Sequence, residues 1–356
     1  MIQQILISLP MFVCGLLSVE LAVSLWLKND RAQTCLQMWS LTATVLYAMH
    51  YIFFTHPDAS LPVADAIYIT CNLAVYPLYL IYIYELTDDR PLRYRRMAMA
   101  ALLLASALGG VIDWLFYGTP QEELVHNVCR VLFALGCVGT VFFGIRRIRS
   151  YHRLLDSLYA DPEERKLNSI STILKILLVT ALASIVANFL GRDSFIGSRW
   201  VAVPSLVFSC LLFAIGQVGL RQKYSIRDIE ADEAKEDSEV QPIDDEQKEP
   251  LEEQTKETSV LVVKLRALVE DERLFTQPNL KLDDVARCLG TNRTYLLRAM
   301  KQDLQLSFSE YINKQRIAYA LQLMKLHPDW TKEDIAAQVG YASLSSFYRN
   351  LKEFSS

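Results

Sequence analysis

The sequence predicts an all-α protein: a seven-helix transmembrane bundle followed by a cytosolic double helix-turn-helix domain. Three observations carry this reading. Apolar runs long enough to cross a bilayer recur seven times in the first 227 residues. Residues 228–257 then carry fourteen Asp or Glu against three Lys. Finally, residues 258–356 hold one short pattern twice, Asp284-Val285-Ala286-Arg287-Cys288-Leu289-Gly290 and Asp334-Ile335-Ala336-Ala337-Gln338-Val339-Gly340.

The apolar runs lie near 5–27, 34–54, 61–84, 97–117, 124–145, 170–190 and 200–220. A span needs about 20 apolar residues, because lipid offers no partner to an unpaired backbone group. Basic residues set the orientation. Lys28 and Arg31 follow the first run, Arg90, Arg93, Arg95 and Arg96 the third, and Arg146, Arg147, Arg149 and Arg153 the fifth, while His56–Ser60 and Gly118–Glu123 carry no Lys or Arg. The alternation places the N-terminus outside and the C-terminal domain in the cytoplasm.

Ionisable and amide groups gather near the outer ends of these runs. Asp65, Asp113, His126, Arg130 and Asn188 are the candidate ligand-sensing residues, since an ionisable group inside a span marks a functional site or an interhelical pair. Asp113 and Arg130 are expected at similar depth, within reach of each other. The seven cysteines are scattered through apolar runs and read as buried free thiols. No Cys or His pair has metal-ligand spacing, so neither a metal nor a cofactor is expected. There is no HExxH, GxSxG or phosphate-binding glycine loop, and the chain does not read as an enzyme.

Three domains follow: a sensor-like transmembrane domain over 1–224, an acidic flexible linker over 225–257, and a DNA-binding domain over 258–356. Composition makes the linker an extended tether. The last domain is mildly basic, with fourteen Lys or Arg against eleven acids over 258–356, behind an overall net charge of −4.

Each repeat reads as a short helix closed by a glycine in a left-handed cap, followed at once by a second helix. The first helix is expected at Leu282–Leu289 and its reading helix at Asn292–Lys301, capped by Asn292. A long helix follows Ser307 and runs to Lys325. It has Ile312, Gln315 or Arg316, Tyr319 or Ala320, and Leu323 on its buried side, with Arg316 tied to a neighbouring acid. Thr331-Lys332-Glu333-Asp334 is a capping box with Asp in place of Glu. The second reading helix starts near Ser343 and ends near Phe354. Arg293, Thr294, Arg298, Lys301, Ser343, Ser345, Tyr348, Arg349 and Lys352 are the candidate DNA contacts, as cations and polar groups on the reading helices.

These residues carry a resemblance. Leu282, Val285, Ala286, Gly290 and Tyr295-Leu296, then Phe308, Tyr311-Ile312, Arg316-Ile317, Ala320 and Leu323, and last Ile335-Ala336, Val339-Gly340-Tyr341, Ser346-Phe347, Arg349 and Lys352, are similar to the C-terminal DNA-binding domain of the AraC/XylS family. The resemblance implies two helix-turn-helix units set into successive major grooves. It also implies a membrane-anchored transcription regulator with double-stranded DNA, the lipid bilayer and a signal molecule or membrane partner as its partners. The sequence departs from the pattern at Leu304-Gln305-Leu306, where a glycine is usual, and at Leu351, where an aromatic is usual. The expected location is a bacterial cytoplasmic membrane. A homodimer would raise affinity through effective concentration, though no coiled coil supports it. The alternative is a receptor or transporter-like bundle whose helix-turn-helix domain binds protein.

Overall fold

The computed structural model describes residues 2–27, 31–56, 60–87, 92–163, 165–190, 202–222 and 260–354. The expected linker at 225–257 lies outside the described residues. The chain divides into two compact units. One is Met1–Arg149 with Leu167–Ala234, and the other is Ser150–Lys166 with Lys235–Ser356. The stretch 150–166, which the sequence assigns to the transmembrane domain, therefore belongs to the unit that carries the repeats.

The first unit contains α1 (Ile2–Leu27), α2 (Arg31–Thr55), α3 (Pro62–Thr87), α4 (Leu92–Phe116), most of α5 (Glu122–Leu158), α6 (Asn168–Leu190) and α7 (Ala202–Arg221). α2 packs between α1 and α3, α3 also packs on α4, and α1 on α7. Apolar contacts dominate, with a few polar links such as Ser18 Oγ to Ser40 Oγ at 2.9 Å between α1 and α2. α4 and α5 turn large apolar side chains outward, including Leu104 at 71% exposure, Leu108, Leu132, Leu135 and Phe142. Large exposed apolar side chains in this number are unfavourable in water and suited to lipid.

The seven-helix transmembrane bundle requires correction. Among the described residues, four helices are long and apolar enough to cross a membrane: Gln4–Trp26, Pro62–Thr87, Met97–Phe116 and Glu122–Leu158. α2 has the length, at 25 residues, but Gln33, Thr34, Gln37, Ser40, Thr42, Thr44 and His50 dilute its hydropathy. In α6 and α7 the apolar stretches among the described residues are Asn168–Val179 and Ser205–Arg221, and neither helix is among the four. A second difference concerns α5. Its 37 residues run without a break through Arg146, Arg147, Arg149 and Arg153, where a loop was expected. At 1.5 Å per residue it is about 55 Å long, well beyond the hydrocarbon thickness.

In the second unit, α8 covers residues 260–266 and widens into a π turn at Ala267–Asp271. α9 (Leu282–Cys288) and α10 (Arg293–Ala299) form the first helix-turn-helix, α11 (Phe308–Leu326) is the long helix, and α12 (Lys332–Gln338) and α13 (Leu344–Phe354) form the second. The first half packs around Leu282, Val285, Ala286, Leu296, Ala299, Met300, Phe308 and Ile312, all fully or nearly fully buried. The second half packs around Ile317, Ala320, Leu323, Ile335, Ala336, Val339, Tyr341 and Phe347. The buried stripe of α11 resolves to Ile312, Arg316, Ala320 and Leu323.

Both glycines close their helices as expected. Gly290 has φ +65° and Gly340 φ +90°. In each copy the next residue bonds back over the cap, Thr291 N–H to Ala286 O at 3.0 Å and Tyr341 N–H to Ala336 O at 2.9 Å. The aspartates of the repeat also do equivalent work: Asp284 Oδ2 accepts from Lys281 N–H at 3.0 Å, and Asp334 Oδ2 from Thr331 N–H at 3.1 Å. Each satisfies a donor that the helix start leaves open.

Candidate nucleic-acid interface

The two reading helices are built by the same local chemistry. Asn292 Oδ1 accepts from Tyr295 N–H at 2.9 Å and starts α10. Ser343 Oγ accepts from Ser346 N–H at 3.3 Å and starts α13. Leu296, Ala299 and Phe347 turn inward, so the opposite faces carry the polar side chains. α10 remains α-helical only through Ala299. Met300–Leu304 is a wider π turn that ends at Gln305 with φ +54°.

The expected contact residues divide by what they already touch. Thr294, Arg298, Lys301, Ser345, Tyr348 and Lys352 are exposed. Arg298 lies over the Tyr295 ring at 5.5 Å, which restrains the guanidinium without removing its donors from solvent. Arg293 is half-buried. Ser343 spends its hydroxyl on the helix start and on Ser345 and Ser346. Arg349 Nη1 is 2.7 Å from Glu163 Oε2, a carboxylate of the 150–166 stretch. That partner carries no recognisable sequence signal, being one acid among forty in the chain.

Arg316 is structural, as expected, but its partners differ. It is 0% exposed and donates through Nε to Phe275 O and through Nη2 to Gln277 O, both at 2.7 Å. The Tyr341 ring lies 5.2 Å from its guanidinium carbon. Burial pushes its pKa down, with Tyr341 and Asp161 acting in the other direction. The sequence points to an acid as its anchor, whereas the bonds go to backbone carbonyls of the turn that precedes the first repeat.

The candidate ligand-sensing residues lie in the first unit. Asp113 is 1% exposed, and His126 Nε2 sits 2.8 Å from its Oδ1, a charge pair when the imidazole is protonated. Arg130 Nη1 donates to Asn127 Oδ1 at 3.0 Å, so Asp113 meets His126 where Arg130 was expected. Asp65 is buried in the first turn of α3. The side chain of Asn188 lies outside the described residues. A shallow recess of about 270 Å³ on α5 is lined by Asn127, Val128, Val131 and Leu132, none of them an expected sensing residue. Among the described residues no group of His, Cys, Asp and Glu could hold a metal ion. The cysteines are free, and Cys210 and Cys288 are exposed where buried thiols were expected.

The fold and these helix ends define a double helix-turn-helix domain, a non-catalytic regulatory fold. A family model described as a helix-turn-helix domain matches residues 285–355. The chain is also similar to the "Uncharacterized transcriptional regulatory protein YesN" of Bacillus subtilis (strain 168), at 30% identity over 91 residues. That match covers 25% of this chain and 24% of the relative, so the chain spans about a quarter of the length of the curated relative it matches. No solved structure matches.

The cap of α12 gives a direct check on the repeat chemistry. Thr331 Oγ1 accepts from Asp334 N–H at 3.1 Å and donates to Asp334 Oδ2 at 2.7 Å. Thr331→Ala is expected to cost about 1 kcal/mol. Hydrogen exchange of the α12 amides in the full chain reads this as a loss of protection there.

Proposed function

We propose that the chain is a membrane-tethered, sequence-specific transcription regulator whose C-terminal unit binds promoter DNA. The observation that carries this reading is the pair of equivalently capped helix-turn-helix units on either side of α11, each presenting cations on its second helix. Arg293, Thr294, Arg298, Lys301, Ser345, Tyr348, Arg349 and Lys352 supply the phosphate and base-edge contacts. Helices long and apolar enough to cross a bilayer support a membrane tether, and the Lys and Arg that follow the first, third and fifth apolar runs support a cytoplasmic position for the C-terminal unit. A signal received near Asp65, Asp113, His126, Arg130 and Asn188 changes DNA occupancy. The acidic segment at 225–257 serves as the tether, and pairing of two chains on tandem sites raises affinity.

The test uses the full chain in nanodiscs and a labelled mixed-sequence duplex of about 40 base pairs, titrated with salt. Expected is binding at low salt with a steep fall in affinity as salt rises, log K dropping by about 0.9 per neutralised phosphate for each unit of log salt. Arg298→Ala is expected to reduce that slope by about one phosphate. No binding at low salt, or binding indifferent to salt, would overturn the proposal. Reporter fusions at Ser60, Arg93 and the C-terminus check the orientation, and a C-terminus found outside would exclude contact with DNA.

A further inference from the structure

The stretch that follows α5 is bonded to the DNA-binding unit at four places. Ala160 N–H donates to Leu280 O at 3.0 Å, and Tyr159 forms an antiparallel bridge with Lys281, the residue just before α9. Ala160 O accepts from Asn313 Nδ2 at 2.7 Å and from Ser309 Oγ at 3.0 Å, both on α11. Glu163 reaches Arg349 on α13 at 2.7 Å. One short segment therefore touches the entry to the first repeat, the long helix and the second reading helix.

The polar groups at the site are satisfied in a way that depends on the segment. Asn313 is 2% exposed, and Ala160 is completely buried. Without the segment, the Asn313 amide, the Ser309 hydroxyl and the Leu280 carbonyl each lose a bond that only water could replace. Glu163 is itself held in place. Lys166 Nζ lies 2.9 Å from Glu163 Oε1 and 2.8 Å from Asp156 Oδ1, which makes a chain of charges from Asp156 to Arg349. Burial works against the Lys166 ammonium, yet its bonds to Asp156 and Glu163 leave its pKa raised, so the lysine stays charged. A carboxylate offers Arg349 the same oxygen geometry that a DNA phosphate would.

We infer that residues 159–163 form an intramolecular strap that restrains the DNA-binding unit, with Glu163 standing on Arg349 as a phosphate mimic that DNA must displace. The inference rests on the DNA-binding reading above. It gives the domain a second state: strap released, Arg349 open to phosphate, and the first repeat no longer tied to the segment through Leu280 and Lys281. The segment is covalently continuous with α5, whose last residues already belong to this unit.

A reversible lock tests this in the full chain in nanodiscs. Tyr159→Cys with Lys281→Cys places two thiols on a paired bridge, a spacing that suits a disulfide. Cys210→Ser and Cys288→Ser remove the exposed native thiols. The probe is a labelled mixed-sequence duplex of about 40 base pairs at low salt. Oxidation is expected to lower affinity about tenfold, and reductant to restore it. Glu163→Gln, in the otherwise native chain, is expected to raise affinity several-fold and to steepen the salt dependence by about one phosphate. Equal affinity of the oxidised and reduced forms, with Glu163→Gln unchanged, overturns the strap while leaving DNA binding intact. A pair that forms no disulfide in the absence of DNA shows the strap unseated and overturns it too. No binding by the native, reduced or oxidised protein removes the DNA-binding reading itself, and the inference with it.

Discussion

Replacing Arg316 with methionine is expected to loosen the whole C-terminal unit. Methionine keeps an unbranched apolar stem, so the packing of the inner part of the side chain survives. What is lost is the pair of 2.7 Å bonds to the carbonyls of Phe275 and Gln277 and the contact with the Tyr341 ring. Each buried carbonyl left without a donor costs about 1–3 kcal/mol, and the cation–ring contact is worth about 0.5–2 kcal/mol. Relief of a buried guanidinium offsets part of this. The net loss is expected at about 2–4 kcal/mol, which speeds exchange of the α11 and α12 amides by one to three orders of magnitude, at about 1.4 kcal/mol per tenfold. Arg316→Lys is expected to recover little, because one ammonium cannot serve both carbonyls in the fixed fork that a guanidinium provides. Exchange rates that stay native in the methionine variant would show that the carbonyls find other donors and that Arg316 is dispensable.

The second large effect separates two glycines that look identical in sequence. Gly290 and Gly340 close the same motif, and both have positive φ. A Cβ on Gly290 would meet nothing within 4 Å, so Gly290→Ala is expected to cost only the left-handed conformation, about 1–2 kcal/mol. A Cβ on Gly340 would lie 2.5 Å from Thr276 O and 2.7 Å from its carbonyl carbon. That is backbone, which cannot swing aside as a side chain can. Gly340→Ala is therefore expected to cost about 3 kcal/mol or more. Protection of the α12 and α13 amides in the two variants reads the difference, and equal losses would count against the close approach.

The repeats were legible because their signals are local. A glycine after an apolar residue, an Asp at the third helical position and a capping Asn or Thr act within a few residues of themselves, and all of them appear in α9, α10 and α12. The buried stripe of α11 was legible as a period, but the choice between Gln315 and Arg316 was not, since it depends on carbonyls about forty positions away. Membrane crossing was read from run length, which admitted α2 with its Gln and Thr residues. The end of α5 was missed because arginines read equally well as a loop and as exposed helix. The 150–166 segment carried no signal at all. Ala160 acts through its backbone, and any acid in that loop could have been the partner of Arg349. Among the sensing residues, burial of Asp113 and Asp65 follows from their positions in apolar helices, whereas the choice of His126 over Arg130 is set by helix packing.

The turn that runs from Arg273 to Leu280 is held from two sides. Arg316 of the long helix grips its carbonyls, and Gly340 of the second repeat lies against Thr276. The bonds to Phe275 and Gln277 close chain separations of 41 and 39 residues. Such contacts must form before either repeat gains its full set of neighbours, and loop closure of this length delays the reward. Two helix-turn-helix units strung on a helix would otherwise fold like beads, one after the other. Here the turn belongs to both, so the unit is expected to assemble and to melt in a single cooperative step, with no half-folded species in which one repeat stands alone.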